Sequence, residues 1–218
     1  MPASIIIKGM MTRSIFMGLA LLAASVFGQD YKSDSGGAPP AEAGAFKSLV
    51  DAKSVRVLAA AGKVFCELWL RTSTLQEGKS TEPNVTLPEI VQGTFVGLIQ
   101  FPAAGADRRG QQIKPGLYTL RYSNFPVSGD HQGVAPQRDF LLLSKVADDT
   151  DPAATPKFDA LVAMSRNASG SNHPLVLSIW KADSPAPAFT KDGEHDWVLQ
   201  RVIGKLPLAI IVVGKSEG

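Results

Sequence analysis

The chain has 218 residues, 44% hydrophobic and 19% charged, with 22 Lys and Arg against 20 Asp and Glu, three His and one Cys. A formal charge of +2 gives no basic footprint for nucleic acid or an anionic membrane surface. A single thiol excludes an internal disulfide framework, so the fold must rest on an apolar core, and a chain of this length can bury one in a single domain.

Residues 1–28 read as a secretory signal peptide. Lys8 and Arg13 supply the positive region, Ser14–Gly28 (SIFMGLALLAASVFG) the apolar region, and the small residues Val26 and Gly28 precede a cut before Gln29. Met10 or Met11 serves equally well as a start. The apolar run is shorter than the roughly 20 residues of a membrane span. No cysteine stands near the cut to carry a lipid. Cleavage removes two basic residues and no acid, leaving a formal charge of 0. The expectation is an exported protein, periplasmic or secreted, that does not insert in a membrane once processed.

Residues 29–45, polar and rich in Pro and Gly, read as a flexible leader before a single domain over 46–218. From Ser54 onward the pattern has a period of two. SVRVLAA and KVFCELWL flank an Ala-Gly turn and predict a hairpin in which Cys66 shares a face with Val64, Leu68 and Leu70. That placement makes Cys66 a small buried hydrophobe rather than a reactive thiol. A polar loop follows, then a strand at GTFVGLIQFP and a break at AAGADRRGQQIKPG. LYTLRYSNF puts Tyr118, Leu120 and Tyr122 on one face and Thr119 and Arg121 on the other. DFLLLSKV is too apolar for clean alternation, so it belongs at the centre of a sheet, covered on both sides.

One stretch departs from this pattern. Thr155 as N-cap, Pro156 at the first position, apolar Phe158, Leu161 and Val162, and Gly170 beyond the end predict a helix over 156–167. Strands at HPLVLSIWKA, HDWVLQRVI and PLAIIVVGK complete the chain. Seven or eight short strands and one short helix predict a mainly β fold, an antiparallel β-sandwich or jelly-roll-like domain, with a closed barrel as the alternative.

The chemistry-bearing residues are sparse. His131 (GDHQG), His173 (SNHP) and His195 (GEHDW) all stand in loops or at strand starts, without the tight spacing of an H-x-H or H-E-x-x-H site. His131 with Asp130 and His173 forms a candidate zinc or copper set if the helical connection brings both histidines to one end of the sheet. The competing reading gives each imidazole a local hydrogen bond, with His131 shaping its loop. Arg138 and Asp139, adjacent on a strand, must face opposite ways, so Arg138 is expected to reach a carboxylate on another loop. Asp148, Asp149 and Asp151 crowd ADDTDP without the spacing of an EF-hand, and there is no G-x-S-x-G, S-x-x-K, P-loop or G-x-G-x-x-G. Trp69, Trp180 and Trp197 either cover the second face of a sheet or form an outward platform.

IKPGLYTLRYSNF resembles the G-x-Y-x-L strand of small exported β-sandwich domains, including bacterial families of unknown function and carboxypeptidase-regulatory-like modules. GVAPQRDFLLL, NHPLVLSIWK and HDWVLQ resemble segments of uncharacterised exported bacterial proteins. The resemblance implies a secreted, mainly β protein and transfers no catalytic residue or cofactor. The first expectation is therefore a non-enzymatic domain that binds a protein or small-molecule partner in the cell envelope. A metal-dependent site and a purely structural envelope domain are the alternatives. Amino-terminal sequencing of the protein from its native compartment is expected to start at Gln29; an intact Met1 or Met11 terminus would contradict processing.

Overall fold

The computed structural model describes residues 30–125 and 137–216. They form β1 (Lys32–Ser35), β2 (Val55–Leu58), β3 (Val64–Leu70), β4 (Phe95–Phe101), the short β5 (Gly105–Ala106) and β6 (Gln112–Ile113), β7 (Gly116–Asn124) and β8 (Asp139–Lys145). After these come α1 (Phe158–Ser169), β9 (Val176–Lys181), β10 (Ala188–Asp192), β11 (Asp196–Ile203) and β12 (Leu206–Val213). The fold is mainly β, as expected. Ten strands join in one antiparallel sheet, in the order β1-β2-β3-β4-β7-β8-β9-β12-β11-β10, nearly closed into a barrel; β5 and β6 pair separately.

Alternation decides which residues fill the inside. Cys66, Leu68 and Leu70 of β3, Tyr118, Leu120 and Tyr122 of β7, Leu141 and Leu143 of β8, and Leu208, Ile210 and Val212 of β12 belong to one buried cluster. The strands that read as apolar on both faces, β8 and β12, have neighbours on each side and a second apolar layer outside. Over β8 that layer is α1, with Leu161 packed among Phe140, Leu142 and Val176. Over β3 and β4 it is a 3-10 stretch, Ala41–Leu49, whose Phe46 lies against Phe95 with ring centroids 4.6 Å apart. Trp69 joins this outer layer and donates from Nε1 to the Gly37 carbonyl at 2.9 Å. Trp180 and Trp197 are also half-buried against apolar neighbours, so all three tryptophans cover sheet faces.

Residues 30–45, read as part of a flexible leader, carry secondary structure. β1 pairs with β2 along its whole length, Tyr31 is buried, and Ala43 and Phe46 are covered. Four exposed residues in a row at β1 carry no apolar period, which hides an edge strand from pattern reading. β10 was hidden for the same reason, because the end of it beyond Phe189 is exposed. Tyr31 and Trp197 meet edge-on at 5.8 Å and Phe189 stacks on Trp197 at 5.4 Å, so aromatic rings draw the two margins of the sheet together at that end.

The polar face of β7 holds the most buried charge. Arg121, fully buried, makes a fork to Asp149, Nε to Oδ2 at 2.6 Å and Nη2 to Oδ1 at 2.8 Å. Its remaining donors reach the carbonyls of Gly93 (2.8 Å), Ala154 (2.6 Å) and Asp151 (2.6 Å), while Thr119 donates to Asp149 at 2.6 Å. Gly93 has φ +85°, and a Cβ there would stand 2.5 Å from the Pro156 oxygen, so only glycine lets the two loops meet over the guanidinium. With the carbonyls of 151 and 154 held in this way, the chain stays extended through Pro156. The helix runs Phe158–Ser169, two residues later at both ends than the expected 156–167, with Lys157 in place of Thr155 as N-cap and the left-handed Gly170 closing it.

Removing one member of this pair leaves a charge buried without its partner. Asp149→Asn is expected to cost about 3–5 kcal/mol in urea unfolding. Asp34→Asn, which breaks the exposed Arg56 pair, should leave the midpoint unchanged.

Candidate functional site

The histidines come first. His131 and Asp130 lie outside the described residues. His173 is exposed, and its backbone N–H donates to Ser171 Oγ at 3.1 Å. The helical connection through α1 returns the chain antiparallel: Phe140 pairs with Ser178 and Leu142 with Val176. β8 and β9 therefore start at opposite ends of the sheet, and His173 precedes the start of β9. β9 and β11 are not neighbours either, because β12 lies between them: Leu208 pairs with both Lys181 and Arg201. His173 and His195 thus precede parallel strands at one end of the sheet, strands that run two spacings or about 10 Å apart. His195 approaches Glu194 at 3.7 Å. Among the described residues, no group of three or more His, Cys, Asp and Glu side chains is arranged to hold a metal ion.

The acidic run ADDTDP is dispersed in the same way. Asp148 accepts from Asn167 at 2.8 Å, Asp149 is spent on Arg121, and Asp151 accepts the Ala153 N–H at 2.9 Å. Three carboxylates with three separate duties leave no shared oxygen cage for calcium. Cys66 is fully buried, and burial pushes its thiol far above the ordinary range, away from nucleophilic use.

At the end of the sheet where β3, β7, β9 and β11 finish, residues 71–94 fold across the opening and send Leu75, Leu87 and Ile90 into the inner core. Asp139, at the start of β8, holds this cover down. It accepts from Tyr122 Oη (2.5 Å), the Thr86 N–H (2.7 Å), Thr86 Oγ1 (3.0 Å) and the Leu87 N–H (3.3 Å). Thr86 Oγ1 in turn accepts the Lys181 N–H of β9 at 3.1 Å. Arg138 faces the other way, as expected, and reaches Glu82 (3.1 Å) and the carbonyls of Pro83 (2.6 Å) and Phe125. Sequence reading gave this arginine its loop carboxylate and turned Asp139 to the opposite face, but did not assign Asp139 the cover loop. The available signal was an acid two residues from Leu141 on the inward face of an otherwise apolar strand.

Beside this cover lies a cleft of about 580 Å³, walled by Ser80, Glu82, Val91, Gln92, Asn124 and Phe158. Gln92 Nε2 is buried there and makes no hydrogen bond. A second cleft of about 450 Å³, on the other flank of the cover, is lined by Leu75, Ile90, Lys181, Ile203 and Pro207.

The chain matches no family model, no curated protein and no solved structure. Function has to be read from its own geometry. No helix among the described residues is long and apolar enough to cross a membrane.

Burial, then the hydrogen bond to Asp139 and that carboxylate's charge, hold the Tyr122 hydroxyl above its ordinary value of 10.0. The unfolded chain gives up this proton near pH 10 while the native chain keeps it. The stabilisation is therefore complete below pH 10 and is lost as the pH rises beyond it. Tyr122→Phe is expected to cost roughly 1.5–3 kcal/mol at neutral pH, since the lost bond has a charged acceptor. It should also flatten the alkaline decline in urea melts; the same decline in the variant would contradict this assignment.

Proposed function

We propose that this chain is an exported, non-enzymatic binding domain, an open β-barrel that takes a small ligand in the cleft beside the cover loop. The observation that carries the reading is the cleft of about 580 Å³ itself, where Val91 and Phe158 stand beside Ser80, Gln92 and Asn124. The cleft is of the size that small molecules fill, and it mixes an apolar wall with a few polar groups in the way ligand sites do. The buried ionic groups support the reading from the other side. Arg121, Asp149 and Asp139 are all engaged in holding loops, which leaves the cleft rigid rather than reactive.

The test is native mass spectrometry on protein taken from its own compartment. A small-molecule adduct is expected on the wild-type chain and is expected to disappear in Ser80→Trp, which fills the cleft. Wild-type protein free of any adduct, or an adduct retained in Ser80→Trp, would overturn the proposal. Stoichiometric zinc or copper in the same preparation, lost in His173→Ala, would favour the metal alternative instead.

A further inference from the structure

We propose that Arg201 anchors a carboxylate-binding site at the open part of the seam between β1 and β11. Arg201 is flanked on its own strand by Leu199 and Ile203, both 1% exposed and both part of the inner cluster, so its side chain points to the inside of the sheet. Its cross-strand partner is Leu208 of β12, also inside. On its other side it has no strand neighbour, because the pairing of β10 with β11 stops at Ala188 and Gln200. Across the seam, Ser33 and Ser35 stand opposite Val57 and Val55 of β2, which pack in or against the same inner cluster. The two serines thus share the inward face, yet both are exposed. Tyr31, Trp197 and Phe189 meet across the seam at one end, and towards the other Ser33 and Ser35 are exposed and Arg201 half-buried.

Arg121 and Arg201 differ in what they hold. Arg121 has every nitrogen engaged and a carboxylate in its fork. Arg201, half-buried, makes one side-chain hydrogen bond among the described residues, from Nη1 to the carbonyl of its neighbour Gln200 at 2.8 Å. Its Nε and Nη2 make no hydrogen bond to the described residues. Asp51, whose N–H bonds the Leu70 carbonyl at 2.9 Å, is the carboxylate that acts on it, yet no ion pair forms within 4.0 Å. Burial works against both charges, lowering the pKa of Arg201 and raising that of Asp51. A partly dehydrated guanidinium with an unfilled fork favours a planar monoanion. Asp51 disfavours a dianion such as phosphate. Val55, half-buried on β2 behind Ser35, is the apolar side chain within this face that still has surface to offer a short carbon chain.

Two sources share this chemistry, a fatty acid and a free amino acid whose ammonium would meet Asp51. The site lies on the sheet's seam, not in the cleft beside β7 and β8, and does not depend on it. Calorimetric titration of the wild-type protein with octanoate, acetate and L-leucine at constant ionic strength tests the proposal. Octanoate or leucine is expected to bind one-to-one and to raise the melting temperature, and Arg201→Gln to weaken that binding roughly 10–100-fold. Asp51→Asn separates the sources: it weakens leucine and leaves octanoate unchanged or tighter. Wild-type protein that binds none of the three probes overturns the proposal whether or not the variants fold. Equal binding by wild type and Arg201→Gln overturns it as well.

Discussion

Everything on the outer face of β7 depends on where the charge of Arg121 goes. A fully buried guanidinium is tolerable only if all its donors are met, and here a carboxylate and three carbonyls from two loops meet them. This arginine takes the place of a hydrophobic plug. It ties the segment before α1 to the loop before β4, sets the extended path through Pro156, and thereby places Phe158 at the wall of the cleft. Apolar residues of equal volume would fill the space but would not dictate the path of the loop, since dispersion has no direction and a bidentate ion pair does.

A second buried acid performs a parallel task inside. Asp139 takes neutral donors, from Tyr122 and from the backbone and side chain of Thr86, and so fixes a loop that must close the end of the sheet without strand structure of its own. Its geometry is the reverse of the Arg121 site: one anion gathers N–H and O–H groups, where one cation gathers carbonyls. Between them the two networks immobilise both ends of the cleft wall. The adjacent pair Arg138–Asp139 divides this work by strand alternation alone, one side chain directed to the outer loop and one to the core.

Much of the sheet was legible because its strands carry the period that burial imposes. Tyr118, Leu120 and Tyr122 declare one face of β7, the apolar runs of β8 and β12 declare strands covered on both sides, and Gly170 declares a helix end. What was not legible depends on partners distant in sequence. β1 is polar throughout and becomes a strand only because β2 offers it a ladder. The proposed set of His131, Asp130 and His173 lies partly outside the described residues, while the strand between β9 and β11 brings His173 and His195 to one end of the sheet. Of the candidate binding sites, Gln92 and Arg201 carried no motif. Each becomes conspicuous only when its unmet hydrogen-bonding capacity is set against the burial around it.

The contact of Tyr31 with Trp197 has a consequence for how the molecule is made. The first strand and the last hairpin but one of the chain's path meet ring to ring, although nearly the whole polypeptide separates them. Closing so long a loop is entropically unfavourable until the intervening ladder exists to narrow the search. A growing chain therefore carries β1 supported on its β2 side alone, and the rings that draw the margins together arrive among the final events of folding. Truncated or stalled chains, lacking Trp197, would present Tyr31 to any passing apolar surface.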